Sequence, residues 1–129
     1  TRYRAIEHYS NSLKVEPEKV ALNPLDEELL KKAIAIVEKH MDNVEFSTEI
    51  FAREMCMSRS NLHIKMKALT GESANVVIRK MRFNQACKLL KEGKYTVSEI
   101  SGMVGFNTPS YFATSFKKYF GCLPSEYGK

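Results

Sequence analysis

Apolar residues recur every three to four positions along most of the chain, the spacing of one face of an α-helix. The clearest run covers positions 73–92, where a helix spans about 30 Å. An earlier run begins at Asn23, a capping residue followed by proline, and predicts a helix to about Asn43. Ser47 predicts the cap of a short helix through Met55. Because alternating strand patterns and hairpin turn signals are absent, the sequence predicts an all-α fold.

A pair of helices separated by a tight break occurs twice in the sequence. Residues 51–58 resemble residues 100–107, and Ser58 and Thr108 stand where each following helix needs an N-cap oxygen. The offset between the copies is 49 residues before the turn and 50 after it. Each copy has the form of a helix-turn-helix. The long helix between them has a length close to the spacing of successive major grooves, about 34 Å, so both second helices are predicted to enter neighbouring grooves.

The pattern divides the chain into four segments. Residues 1–22 are polar and weakly periodic, and we interpret them as a linker from an upstream module, with a receiver module as a candidate. Residues 23–72 and 93–129 are predicted to form the two helix-turn-helix subdomains, with residues 73–92 as the linker helix. Because the chain starts at Thr1 without a methionine or a signal-peptide pattern, we interpret it as a fragment of a longer protein.

Charge is unevenly distributed along the chain. The formal net charge is +5, with −3 over residues 1–57, +7 over residues 58–94 and +1 over residues 95–129. A basic centre favours a polyanionic partner. No apolar run reaches the roughly 18 residues of a membrane span, so no membrane contact is predicted.

The sequence gives no sign of catalysis or metal binding. Cys56, Cys87 and Cys122 stand far apart and are predicted to be buried free thiols in a reducing compartment. Neither they nor the histidines have metal-ligand spacing, and phosphate-loop and nucleophile motifs are absent. We therefore expect no enzyme activity, no metal and no cofactor.

Helical spacing separates an inward and an outward face on each second helix. The residues expected to pack inward are Leu62, Met66 and Leu69 in the first copy and Phe112 and Phe116 in the second. The outward faces correspond at an offset of 50, with Ser60, His63, Ile64 and Lys67 in the first copy and Ser110, Ala113, Thr114 and Lys117 in the second. The first face carries stronger donors and acceptors, whereas the second is small and expected to depend on water and DNA shape.

Two further groups have competing interpretations. Arg82 on the linker helix could contact a phosphate, but an ion pair with a carboxylate such as Glu99 is the preferred interpretation. The phenylalanines at positions 106, 112, 116 and 120 could stack on single-stranded bases, but their helical spacing favours a core role.

An ordered series of motifs over about residues 26–127 resembles the AraC-type DNA-binding domain. The motifs are Ser58-Arg59-Ser60-Asn61-Leu62, Lys67-Ala68-Leu69-Thr70-Gly71, Arg82 with Ala86 and Leu89-Leu90, Val104-Gly105-Phe106, Ser110-Tyr111-Phe112, Phe116-Lys117-Lys118, and Gly121 with Pro124 and Tyr127. The segment from Met57 to Leu62 and the Glu16-Pro17 linker are most similar to hybrid two-component regulators. Such proteins fuse sensor, kinase and receiver modules to this domain and often control polysaccharide-utilisation genes.

The outward faces and the resemblance together define the predicted DNA contacts. Base contacts are expected from Ser60, Asn61, His63, Ile64, Lys67, Pro109, Ser110, Tyr111, Ala113 and Thr114. Phosphate contacts are expected from Ser58, Arg59, Lys65, Thr108, Lys117 and Lys118.

The combined interpretation is a cytoplasmic, sequence-specific duplex-DNA-binding output domain of a transcription regulator. The resemblance implies activation, RNA polymerase as a partner, and upstream sensor or receiver modules in the same full-length chain. The isolated domain is expected to be a monomer or a weak dimer. Two alternatives remain open: a stand-alone AraC-type regulator with a ligand-sensing domain, and a basic helical module that binds an acidic protein or a membrane surface.

Overall fold

The computed structural model describes residues 23–127, and every regular element in this range is an α-helix. In chain order the helices are α1 (Pro24–Lys39), α2 (Thr48–Glu54), α3 (Arg59–Thr70), α4 (Ala74–Glu92), α5 (Val97–Met103) and α6 (Pro109–Phe120). The predicted all-α class is confirmed, whereas the predicted linker at residues 1–22 lies outside the described residues. Among these helices, none has the length and apolar character that crossing a membrane requires.

Helix α1 begins where the sequence predicts but ends earlier. The side chain of Asn23 accepts a hydrogen bond from the backbone N–H of Asp26 at 2.8 Å, and a proline takes the first helical position. The prediction that the helix continues to about Asn43 is wrong, because helical geometry stops at His40. The His40 ring stacks on Phe46, with centroids 4.7 Å apart, so the chain turns back at this point.

The two helix-turn-helix units, α2–α3 and α5–α6, share their local construction. The hydroxyl of Ser58 accepts a hydrogen bond from the N–H of Asn61, and that of Thr108 accepts one from Tyr111, both at 3.1 Å. These bonds satisfy backbone donors that a helix start leaves unpaired, as the sequence predicts. Both second helices end on a glycine with φ of 80°.

The turns inside the two units have the same hydrogen bonds but different corner residues. The N–H of Cys56 donates to Arg53 O in the first turn, and that of Gly105 donates to Gly102 O in the second, both at 3.1 Å. Both corners are left-handed, with φ of 59° at Cys56 and 81° at Gly105. Because a Cβ is unfavourable in this region, the first turn carries backbone strain that the second avoids.

The described residues divide into two compact units. The N-terminal unit comprises residues 23–40 and 45–81, and the C-terminal unit comprises residues 41–44 and 82–127, so α4 contributes to both. The N-terminal unit has a core of mainly aliphatic and methionine side chains, namely Leu30, Ala33, Ile36, Val37, Phe46, Phe51, Ala52, Met55, Leu62, Met66, Leu69, Ala74 and Ile78. The core of the C-terminal unit is rich in aromatic rings and comprises Phe83, Ala86, Cys87, Leu89, Ile100, Val104, Phe106, Phe112, Phe116, Phe120, Cys122 and Tyr127. The expected inward faces of α3 and α6, and the core role of the phenylalanines, are thus confirmed.

The three cysteines are free thiols, but only two of them are buried. Cys87 and Cys122 lie in the core of the C-terminal unit, as predicted. The prediction for Cys56 is wrong, because this residue occupies the solvent-exposed corner of the first turn.

Candidate nucleic-acid interface

The outward face of α3 presents polar side chains to solvent. Ser60, Asn61, His63 and Lys67 are exposed, and the apolar Ile64 among them is 64% exposed. The face therefore combines an amide, an imidazole and an ammonium group with one apolar contact surface. Such groups match the donors, acceptors and thymine methyl groups of the major groove.

An open groove of about 1070 Å³ runs beside this face, within the N-terminal unit. Its walls come from the starts of α2, α3 and α4, and its lining residues are Phe46, Ser47, Thr48, Arg59, Ser60, Leu62, His63, Ile64, Ser73, Ala74 and Asn75. Thr48, Ser73 and Asn75 were not predicted from the sequence as candidate contacts. Their signal is a hydroxyl or amide side chain near a helix start, which is common in helical proteins and becomes informative only when three such starts converge.

The helix starts differ in their acidic residues. Helices α1, α2 and α5 carry acidic residues in their first turns, whereas α3, α4 and α6 carry none. An acidic residue neutralises the positive end of the helix dipole, and its absence leaves that end available to an external anion. The acid-free starts are those of the two second helices and of the long helix.

Lys65 is already paired in the free protein. Its Nζ lies 3.4 Å from the Asp26 carboxylate, and its side chain is 41% exposed. Any phosphate that binds Lys65 therefore competes with this ion pair. Arg59, by contrast, is exposed at the first position of α3 and lines the groove.

The outward face of α6 is smaller and poorer in donors than that of α3. Pro109, Ser110 and Thr114 are exposed and Ala113 is half-buried. Tyr111 is 60% exposed and its ring leans on Phe106, with centroids 5.6 Å apart. Thr108, Lys117 and Lys118 are also exposed. The predicted contacts of each unit thus lie on its second helix or at the cap of that helix.

The preferred interpretation of Arg82 as an ion pair with Glu99 is wrong. Its Nη1 donates to Gly105 O at 3.0 Å, and its Nη2 donates to Asn43 O at 2.9 Å. Glu99 instead accepts a hydrogen bond from the Thr96 N–H at 3.0 Å and completes a capping box at the start of α5. Hydrogen bonds from Thr96 lower the pKa of Glu99 from its ordinary value.

A charged cluster joins the ends of α1 and α2. Glu54 pairs with His40, and Lys39 Nζ lies 3.5 Å from the other oxygen of the same carboxylate. Desolvation alone would raise the pKa of Glu54, but the hydrogen bond and charge of His40, together with Lys39, outweigh it and lower this pKa. Because His40 also stacks on Phe46, which lines the groove, the cluster supports one wall of the groove.

Nothing in the described part of the chain suggests a metal centre: residues 23–127 hold no group of three or more His, Cys, Asp or Glu side chains arranged to bind an ion. The exposed chemistry of the two faces is hydrogen bonding, cationic charge and apolar contact.

A family model described as a helix-turn-helix domain matches residues 51–129, well over half of the chain. The chain belongs to the AraC-type helix-turn-helix family. It is therefore a DNA-binding domain of the kind found in transcription regulators.

Individual relatives agree with this membership. The sequence is 39% identical over 126 residues to histidine kinase P4 of Formosa agariphila, covering 98% of this chain and 9% of that protein. The fold matches the C-terminal domain of AraT, a response regulator from Geobacillus stearothermophilus, with a TM-score of 0.73 and 28% identity, covering 84% of this chain and 87% of that one. It also matches the DNA-binding domain of AdpA, solved in complex with a target DNA, with a TM-score of 0.68 and 28% identity, covering 75% and 86%. The chain spans less than a third of the length of curated relatives that it matches.

Proposed function

We propose that this domain reads a specific duplex-DNA site through both units, with α3 and α6 entering successive major grooves. The observation that carries the proposal is a construction that occurs twice: a hydroxyl-capped helix with no acid in its first turn and a polar outward face. The 19-residue length of α4 supports it, because such a helix spans about 28 Å, close to the groove spacing of about 34 Å.

We assign most of the direct base reading to α3. Asn61 and His63 offer donors and acceptors to base edges, and Lys67 reaches a guanine edge or a phosphate. Ser60 adds a hydroxyl, and Ile64 suits a thymine methyl because its side chain is apolar and exposed.

We assign to α6 a reading that depends more on groove shape and bridging water. The residues of α6 that we expect to face the DNA major groove are Pro109, Ser110, Tyr111, Ala113 and Thr114. Ser110, Tyr111 and Thr114 carry hydroxyls that can donate, whereas Pro109 and Ala113 offer small apolar surfaces.

Phosphate contacts would fix the position of the domain on the duplex without reading sequence. We assign them to Ser58, Arg59, Lys65, Thr108, Lys117 and Lys118, and we add Thr48, Ser73 and Asn75 from the groove. The groove supports this addition, since one DNA strand following α3 would pass the starts of α2 and α4.

The names of two relatives support a regulatory setting for this domain. A histidine kinase and a response regulator carry similar domains, so we propose that this domain is the output of a two-component phosphorelay, with sensor or receiver modules in the full-length chain. We further propose that it works in the cytoplasm, activates transcription with RNA polymerase as partner, and controls polysaccharide-utilisation genes. As an isolated domain we expect a monomer or a weak dimer.

Selection of bound sequences from a random duplex pool tests the core of this proposal. Enrichment of one site that spans two half-sites about one helical turn apart is expected. Affinity for that site should fall steeply with salt, because several phosphate contacts release counterions. Failure to enrich any sequence would contradict the proposal, and a short site of one half only would contradict the use of both units.

The variant His63→Ala tests the assignment of base reading. It should cost about 1–3 kcal/mol on the selected site and relax discrimination at one position. The control is the same variant on a scrambled duplex, where little change is expected. Equal losses on both duplexes would contradict a base contact by His63.

A further inference from the structure

Arg82 places a partly buried guanidinium group in the C-terminal unit, and no carboxylate among residues 23–127 pairs with it. Its hydrogen bonds go to two backbone carbonyls, Gly105 O and Asn43 O, and its Nε is buried without a hydrogen-bond partner among the described residues. Desolvation lowers the pKa of the guanidinium from its ordinary value, so folding places a cation where its charge is disfavoured. A desolvated guanidinium without a carboxylate partner contributes little to the stability of the fold. Its effect is instead expected on the positions of the two backbone carbonyls that it binds.

The geometry concerns the turn that leads into α6. Gly105 is the left-handed corner of this turn, three residues before the cap of α6 at Thr108. A Cβ at Gly105 would lie 2.6 Å from Met41 O and 2.8 Å from Arg82 Cζ. The corner, the guanidinium and the backbone at residues 41–43 are therefore closely packed, and the peptide after Gly105 has little freedom to rotate.

Phe83, which follows Arg82 on α4, contacts the side chains of the same turn. Phe83 packs against Phe106, with centroids 5.7 Å apart. Phe106 in turn contacts Tyr111 and Phe112 in the first turn of α6, at 5.6 and 5.1 Å. Two consecutive residues of α4 thus fix the backbone of the turn and the start of α6.

Among residues 23–127, the corner of the first turn has no comparable hydrogen bond from a side chain. That corner, Cys56, is exposed, whereas Gly105 is buried. In the described part of the chain, no side chain donates to the carbonyl of Cys56. The contacts of Arg82 and Phe83 therefore hold the turn before α6, which has fewer strong donors than α3. Recognition by α6 depends more on the position of its backbone than recognition by α3 does.

We propose that Arg82 is a positioning residue for DNA recognition by α6. By holding the carbonyl of Gly105, it sets the direction in which the chain leaves the turn, and so the register of α6 in its half-site. The inference rests on the proposed function, because it assumes that α6 reads one half of a two-part site.

The test compares Arg82→Lys and Arg82→Met with the unaltered chain on three duplexes: the selected site, and versions with the first or the second half scrambled. Lysine keeps the charge but replaces the two guanidinium nitrogens that bind the two carbonyls with a single ammonium nitrogen. We expect about tenfold weaker binding to the full site, the size of one lost hydrogen bond to a charged group, and little change once the second half is scrambled. Lys88→Met, at an exposed position of α4, makes the same charge change as Arg82→Met, and Leu89→Ala, at a buried position, removes side-chain volume from the same core.

The outcomes separate the inference from the proposed function. An unaltered chain that binds all three duplexes equally contradicts both. An unaltered chain that discriminates, with Arg82 variants that lose affinity equally for both half-scrambled duplexes or match Leu89→Ala, contradicts the positioning role alone. If Arg82→Met fails to fold, Arg82→Lys decides: its amide hydrogen exchange at residues 104–107 should accelerate more than in the rest of α5 and α6, and uniform acceleration contradicts the inference.

Discussion

Replacing Gly105 by alanine tests how tightly the second turn is built. The substitution adds a Cβ at φ of 81°, which costs about 1–2 kcal/mol for any L-residue in the left-handed region. The new atom also lies 2.6 Å from a backbone oxygen of Met41 and 2.8 Å from Arg82 Cζ, distances at which neighbouring atoms must move. If the guanidinium moves and loses one hydrogen bond, the total loss of unfolding free energy becomes roughly 3–5 kcal/mol.

Gly121→Ala is a matched control in the same C-terminal unit. Gly121 has φ of 80°, and a Cβ there meets no atom within 4 Å. This variant should therefore lower the free energy of unfolding only by the cost of a Cβ in the left-handed region, about 1–2 kcal/mol. The difference between the two variants isolates the steric term at Gly105.

Urea unfolding followed by far-UV circular dichroism measures both variants, because the chain has no tryptophan to serve as a fluorescence probe. The midpoint should shift with an unchanged slope. Equal losses for Gly105→Ala and Gly121→Ala would refute the claim that the second turn is closely packed. An unchanged free energy of unfolding for Gly121→Ala would refute the assumption that a Cβ in the left-handed region is destabilising.

Three further predictions concern the N-terminal unit. Cys56→Gly should stabilise the protein by about 0.5–1 kcal/mol in urea unfolding, since relief of strain exceeds the entropy of the added glycine, and a loss would show that the thiol makes an unrecognised contact. Arg59→Ala should weaken binding to every duplex alike and reduce the salt slope by about one, whereas a loss confined to the selected site would contradict a phosphate role. Glu54→Gln should reduce stability at neutral pH and flatten its decline in acid. The folded-state pKa of Glu54 lies below its ordinary value of 4.5, so its stabilisation is present above that value and is lost as pH falls through the lower one. An unchanged acid profile would show that the cluster with His40 contributes nothing.

Features set by nearby residues were predictable from the sequence. The caps at Asn23, Ser47, Ser58 and Thr108 were all predicted, because each depends on a hydroxyl or amide within three positions of its backbone partner. The buried and exposed faces of α3 and α6 were predictable for the same reason, since helical periodicity alone places them.

Features that join distant segments were not predictable. Arg82 donates to carbonyls 39 and 23 positions away in the sequence. Because every residue has a backbone carbonyl, the sequence does not indicate which ones bind Arg82, and a carboxylate was wrongly predicted as its partner. The early end of α1 also lies at contacts between segments, because His40, where the helix ends, stacks on Phe46 and pairs with Glu54. The groove beside α3 likewise requires three helix starts to converge.

The difference between the two turns is connected to the difference between the two reading faces. In the proposed complex, a long or flexible side chain such as Lys67 can adjust to a base edge after the helix has docked, so α3 would tolerate a turn whose corner is exposed and strained. Small side chains such as Ser110 and Ala113 cannot extend to recover a lost contact, and recognition by shape fails when the backbone shifts. The proposed reader with the least adaptable side chains is therefore the one that needs a fixed backbone, and the buried glycine corner held by Arg82 meets that need.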